Sequence, residues 1–273
     1  MHDIRLIASD MDGTLFNSKH EISDRNAAAI LAAQQKGVIF TLCTGRISQY
    51  GALHVNDKGI SCPVIGGNGG AIWDDTKKEI ISMHPIATDT AMEVDELLHC
   101  YGVLYYAFVT DNIVSSDEKI NHPNASWKGG AMTKVYGIPF GGGREKMRNA
   151  VKHEQPFKFF VTRQPDGVFE KLVTELKKIK GIYVTSAGKN SIEIMKDGVN
   201  KCSGVEELAA MHGISMENVM TLGDYDNDMP MIRAAGLGVA MGNALEEVKA
   251  CADYVTDTND NDGVAKAIEK FVL

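Results

Sequence analysis

Short apolar runs alternate with amphipathic stretches over the first 85 residues. Ile4 to Asp10 reads as a strand, and the near-continuous apolar segment Ile4 to Ala8 suits a parallel strand covered on both faces. A helix is predicted from about Ser23 to Lys36, closed by Gly37, and then a strand over Val38 to Cys43. After Val64-Ile65 comes a hairpin of Ala71 to Trp73 with Ile80-Ile81, turning at Asp74-Asp75. This succession is that of βαβ units.

Residues 86 to about 190 carry a different pattern. It predicts a helix near Thr88 to Cys100, a strand Val103 to Val109, and a loop-rich centre with Gly129-Gly130 and Gly141-Gly142-Gly143. Strand Phe157 to Thr162, helix Asp166 to Lys180, and strands Ile182 to Thr185 and Ser191 to Met195 follow. From Asn200 the simple alternation returns: helix to His212, strand Val219 to Gly223, helix Asn227 to Ala235, strand Leu237 to Met241. Helix Ala244 to Ala252, a short strand Asp253 to Val255 and helix Gly263 to Val272 close the chain. The economical reading is an α/β protein with a doubly wound, Rossmann-like parallel-sheet core made of residues 1–85 and 191–273, interrupted by an inserted α+β domain over 86–190.

Composition narrows the function classes. The chain is 44% hydrophobic over 273 residues, enough for one large core or two smaller ones. Cys43, Cys62, Cys100, Cys202 and Cys251 are odd in number, spread out and without a Cys-x-x-Cys pair, which disfavours a disulfide framework or a zinc site. No stretch approaches the ~20 apolar residues that cross a bilayer, and Asp3 and Arg5 interrupt the N-terminus, so a cytoplasmic protein with no membrane partner is expected. The net charge of −8 argues against nucleic acid as a partner. Residues 86–190 hold 14 Lys and Arg against 12 Asp and Glu, a balance of +2, leaving −10 for the remainder. An acidic body with a mildly basic insert suits a metal site approached by an anionic substrate, and equally a solvated acidic surface.

Polar groups recur at four predicted element ends. Asp10 and Asp12 stand where the first strand gives way to a glycine turn, and ligands collect beyond the carboxyl ends of such strands. Thr44-Gly45-Arg46 follows the second strand; its hydroxyl and backbone N–H groups make either an anion pocket at a helix start or a plain N-cap. Lys201 opens the helix after Gly198-Val199-Asn200, where a cation opposes the macrodipole by roughly 0.3–1 kcal/mol, which points to function unless its stem simply reaches water. Gly223-Asp224-Tyr225-Asp226-Asn227-Asp228 supplies more acids than one helix cap needs. Asp224 is placed like Asp10, as a second-strand ligand for a hard divalent cation, while Asp226 or Asp228 could cap or support the loop. No Gly-x-Gly-x-x-Gly fits Gly66-Gly67-Asn68-Gly69-Gly70, so a dinucleotide site is not supported.

Together these segments resemble the four motifs of the haloacid dehalogenase-like hydrolases, and the whole chain is similar to their Cof-type phosphatases with a large (type IIB) α/β cap. Asp10 to Leu15 looks like the first motif, Thr44-Gly45-Arg46 the second, Lys201 the third and Gly223 to Asp228 the fourth. The pattern departs from the family at Cys202, where glycine is usual, and at Asn68-Gly69-Gly70 in place of Asn-Gly-Ala. The resemblance implies a phosphatase acting on small phosphate monoesters, such as sugar phosphates, with Mg2+ as cofactor. Asp10 would be the nucleophile, forming an aspartyl-phosphate, and Asp12 the general acid and base. Asp10, Asp12 and Asp224 would hold the metal, the second through its carbonyl or that of the Met11 region, with Asp228 in support. Met11, Thr44, Gly45, Arg46, Lys201 and Asn227 would bind phosphate. Such a site needs positive charge, since two carboxylate-like charges ~4 Å apart repel by roughly 4 kcal/mol at an effective dielectric of 20. A phosphomutase using the same site, or a receiver-like phosphoacceptor module, are the alternatives. In the insert, Lys128, Arg144 and Lys158 could face a phosphate, solvated surface being the simpler expectation, and Gly141 to Gly143 could be a hinge or a flexible loop.

Overall fold

The computed structural model describes residues 3–110, 112–118, 140–162, 167–186 and 191–273. They fall into two compact units, Met1–Ser82 with Asn200–Leu273, and Met83–Val199.

The first unit is built on an eight-stranded sheet. Its strands are β1 (Leu6–Ser9), β2 (Ile39–Cys43), β3 (Val64–Gly66), β4 (Ala71–Asp74), β5 (Glu79–Met83), β12 (Val219–Gly223), β13 (Leu237–Ala240) and β14 (Tyr254–Val255). Their order is β14-β13-β12-β1-β2-β3-β4-β5. The six from β14 to β3 are parallel, and β4 turns back against β3. Every residue of β1, β12 and β13 is buried, as strands covered on both faces require. On one face Leu6, Ala8, Cys43, Ile65 and Val219 pack against Cys202, Val205 and Leu208 of helix α6 (Lys201–Met211). Helix α1 (Asp24–Gln35), in the crossover from β1 to β2, meets helix α9 (Gly263–Phe271), where the Asn26 side chain accepts the Ala265 N–H at 2.9 Å.

Strand order reverses between β1 and β12: the chain moves outward through β2 and β3, then resumes on the other side of β1. That makes a topological switch point, the place where an open α/β sheet leaves a crevice. Register aligns the ends, because Ser9 lies opposite both Leu42 of β2 and Leu222 of β12. Asp10, Thr44 and Asp224 therefore leave the sheet side by side.

The second unit has a six-stranded sheet of order β10-β11-β9-β6-β7-β8. These strands are β6 (Tyr105–Val109), β7 (Asn112–Ser115), β8 (Phe140–Gly142), β9 (Lys158–Val161), β10 (Ile182–Thr185) and β11 (Ile192–Lys196). Pairing is antiparallel except for β7 with β8. Helices α3 (Thr88–Cys100), α4 (Arg144–His153) and α5 (Val168–Leu176) cover one face through Val94, Leu98, Met147, Val151, Leu172 and Leu176. β11 pairs with β9 and β10, so it belongs to this sheet, and the first unit resumes only at Asn200.

Two expectations for the insert are corrected here. Gly141 and Gly142 lie in β8, paired to Val114 and Ser115, and Gly143 caps α4 with φ +100°, so the glycine run is strand and helix start rather than loose loop. Lys158 is 1% exposed and bonds Glu193, which is 3% exposed, so it is not a solvated cation. Arg144 is instead spread over Asp95 (2.6 Å) and Glu96 (2.7 Å). Lys128 and Gly129-Gly130 fall outside the described residues.

Candidate active site

Asp10 emerges from β1 with its N–H on the Leu222 carbonyl at 2.9 Å, and its side chain is buried. Lys201 reaches it from the first position of α6, placing Nζ 2.5 Å from Asp10 Oδ1 and 2.6 Å from Asp228 Oδ1. Asn200 caps that helix by accepting the Ser203 N–H at 3.1 Å, which frees the first residue's side chain to run inward. An ammonium at a helix N-terminus is tolerated here because two carboxylates face it. Burial would depress the Lys201 pKa, and Asp10 with Asp228 overcome that and hold it well above the ordinary ammonium value.

The loop after β12 supplies the remaining acids. Asp228 is fully buried, and its Oδ2 accepts the N–H groups of Asp224 (2.9 Å) and Tyr225 (3.1 Å), which folds the loop around it. A Cβ on Gly223 would come 2.4 Å from Asp228 Cβ, so only glycine admits this return. Asp224 takes the Thr14 hydroxyl at 3.0 Å on Oδ1. Burial, reinforced by Asp228, pushes the Asp224 carboxyl up to about 6. Asp10 is raised well above its ordinary value by burial, with Asp228 and Asp224 adding to it against the pull of Lys201. Two carboxylates thus grip one ammonium, and the third, Asp224, stands beside them.

Asp10, Asp224 and Asp228 each offer an oxygen, all within 4.8 Å of one another. All-oxygen anionic donors fit a hard divalent cation. Asp228 already engages both oxygens, one with Lys201 and one with two N–H groups, whereas Asp10 gives Lys201 one and Asp224 gives Thr14 one. The Asp12 carboxylate, expected as acid and base with only its backbone carbonyl or that of the Met11 region on the metal, is not among the oxygens of this cluster. It is 41% exposed and clasped by Arg46, with Nε to Oδ2 and Nη2 to Oδ1 both at 2.7 Å. Arg46, expected on phosphate, makes this pair through Nε and Nη2.

Thr44 is buried, and its Oγ1 accepts the Arg46 N–H at 3.1 Å. The glycine-rich stretch after β3 stitches this turn in place: Asn68 N–H bonds the Thr44 carbonyl at 3.0 Å and Gly67 N–H the Arg46 carbonyl at 2.7 Å. Asn227 is buried 3.5 Å from Asn68 Oδ1, Met11 is fully buried and Asp226 is exposed. Cys202 sits by Glu206 at 3.5 Å with its thiol pushed up to about 12 by burial and then by Glu206, which makes it a poor nucleophile.

Three positioning residues escaped the sequence reading. Thr14 fixes Asp224; Asn68, at φ +56°, carries the bond to Thr44; and Asn243 donates to the Gly13 carbonyl at 2.8 Å. Thr14 left a signal as part of the Asp-Gly-Thr segment and Asn68 as part of Asn68-Gly69-Gly70, whereas Asn243 left none.

A family model described as haloacid dehalogenase-like hydrolase matches residues 7–268. The chain is 36% identical over 271 residues to the 5-amino-6-(5-phospho-D-ribitylamino)uracil phosphatase YcsE of Bacillus subtilis, covering 99% of this chain and 97% of that protein. Among solved structures, a haloacid dehalogenase-like hydrolase from B. subtilis superposes with TM-score 0.85 at 26% identity, over 98% of this chain and all of that one (100%). The subclass IIB sugar phosphatase BT4131 does so with TM-score 0.77 at 25% identity, over 98% of each. Among the described residues no helix is long and apolar enough to cross a membrane. Match, identity and architecture agree with the carboxylate-lysine cluster at the switch point: the chain belongs to the haloacid dehalogenase-like hydrolases and is an enzyme acting on phosphate esters.

Proposed function

We propose that the protein is a Mg2+-dependent phosphatase that hydrolyses small phosphate monoesters through an aspartyl-phosphate on Asp10. The observation that carries this is the buried contact of Asp10 with Lys201 at the β1/β12 switch point, beside Asp224. A nucleophile must approach an anion, and Lys201 brings fixed positive charge to that approach in a dry site. Asp10 and Asp224 would hold Mg2+, with Asp228 bracing them, and the bound cation supplies charge that offsets carboxylate-phosphate repulsion.

Asp10 Oδ attacks phosphorus while the ester P–O bond breaks, and Asp12 gives its proton to the departing alkoxide. Water then attacks the same phosphorus, Asp12 takes the water's proton, and inorganic phosphate leaves with the Asp10 carboxylate restored. Thr44 Oγ1, the Met11 and Gly45 N–H groups and Asn227 hold the non-reacting phosphate oxygens, as donors fixed in advance. The Met83–Val199 unit is the inserted domain to which the cap role of such enzymes would fall. The substrate is a phosphorylated sugar or polyol, which the named substrate of the 36%-identical relative, a ribityl phosphate, supports. Five free thiols fit a cytoplasmic location.

Phosphate release from 5-amino-6-(5-phospho-D-ribitylamino)uracil and a panel of hexose and pentose phosphates tests the reading. Turnover that disappears with EDTA, returns with Mg2+, and is lost in a folded Asp10→Asn protein is expected. Full activity in Asp10→Asn overturns it.

A further inference from the structure

The Asp12 carboxylate makes its strongest contacts away from the acidic cluster. Arg46 meets both of its oxygens through two parallel bonds of 2.7 Å, a fork that fixes the plane of a carboxylate and not merely its charge. Arg46 is itself held: its guanidinium lies 4.7 Å from the Tyr50 ring centre, and Tyr50 is 4% exposed on helix α2 (Ser48–Asn56). The Tyr50 ring lies 4.6 Å from that of His54, four residues further along α2, tilted by 60°, and His54 meets Phe16 edge-on at 4.9 Å. Phe16 returns to the Asp12 loop through a bridge between Asp12 and Phe16. The circuit Asp12, Arg46, Tyr50, His54, Phe16 therefore closes on itself and grips the first loop at two points. Such an arrangement is costly in ordered side chains if Asp12 only needed solvent.

We infer that Arg46 is a positioning residue for proton transfer: it holds the Asp12 carboxylate in the orientation from which it serves the leaving group, and it does not bind the phosphoryl group. This rests on the reading of Asp12 as general acid. Arg46 touches neither substrate nor the reacting atoms in this role; it acts through Asp12.

The test uses leaving groups of graded acidity. For phenyl, p-nitrophenyl and 2,4-dinitrophenyl phosphate, kcat/KM reports phosphoryl transfer to Asp10, and only the poor leaving group needs a donated proton. Arg46→Ala is expected to lower kcat/KM for phenyl phosphate by about 10²-fold, the order of a lost general acid, with little change for the dinitrophenyl ester. Inhibition by vanadate stays as in the wild type. Arg46→Lys, which keeps the charge and loses the fork, lies between and serves also if the alanine protein does not fold. In an Asp12→Asn background, Arg46→Ala adds no further loss, since groups acting as one unit are not additive. Parallel losses across all three esters with weakened vanadate inhibition would assign Arg46 to the phosphate and overturn the inference, as would a rise in kcat on its removal. An Asp12→Asn protein with the wild-type leaving-group dependence would instead refute the acid role of Asp12 itself.

Discussion

Lys201 occupies a position that helix electrostatics disfavour and is still only 2% exposed, so its place is set by the carboxylates it meets. Removing an ion-pair partner inside a protein leaves an uncompensated charge behind. In metal-free buffer near neutral pH, Lys201→Met is expected to lower unfolding free energy by about 3 kcal/mol, read by urea denaturation. A protein as stable as the wild type would show that Asp10 and Asp228 do not need the ammonium. At this scale the sequence was informative about which residues gather and less so about what each one touches. Asp10, Thr44, Lys201 and Asp224 follow from their places at element ends, because register carries those ends to one edge. Arg46 and Asp12 are 34 positions apart, and no spacing rule announces that their side chains pair before either meets a phosphate. Asp228, expected as a support, proves to be the hub, since its four-residue return to Asp224 depends on a turn geometry that the letters do not display.

Loops are the elements that carry this site, and close backbone approach shapes them. Gly13, at φ +81°, faces Asp224, and an added Cβ would fall 2.5 Å from Asp224 Oδ2. Gly13→Ala is therefore expected to cost about 1–3 kcal/mol in strain and to displace Asp224. Thermal melting paired with Mg2+ titration of activity checks both, and a weaker apparent Mg2+ affinity is the expected outcome. An unchanged affinity would mean that the loop yields elsewhere. Element existence was largely legible in the first unit, where strands are apolar throughout and helices start at recognisable caps such as Ser23, which accepts the Asn26 N–H at 3.1 Å. Helix α4 was missed. Its sequence, Arg144 to His153, buries only Met147, Ala150 and Val151, a stripe too narrow to stand out among charges, and it follows three glycines that read as loop. The buried Lys158–Glu193 pair was equally hidden, because it depends on the antiparallel register that sets Phe160 opposite Glu193.

Over the whole molecule, acid stability reflects carboxylates held below their ordinary pKa. Asp257 is lowered from 3.8 to about 2, first by the Lys266 ammonium at 2.6 Å and then by the Thr258 N–H and Asn261. A depressed folded-state value means that the contribution is complete above pH 3.8 and is lost as pH falls toward about 2. Asp257→Asn should accordingly melt with a shallower decline than the wild type across that acid window, and identical acid limbs would remove Asp257 from the account. The alternation of strands and helices, broken by a differently patterned middle, foreshadowed two sheets, whereas the order reversal between β1 and β12 rests on pairings between residues more than 200 positions apart. That reversal leaves Asp10, the nucleophile of the proposed reaction, at the switch point. Rapid acid quench of the enzyme with a 32P-labelled phosphate ester, followed by peptide mapping, tests it most directly. The account predicts a hydroxylamine-sensitive phosphoryl group on Asp10 that is absent from Asp10→Asn, whereas label on another residue, or phosphate release with no phosphoenzyme at any time, would contradict it.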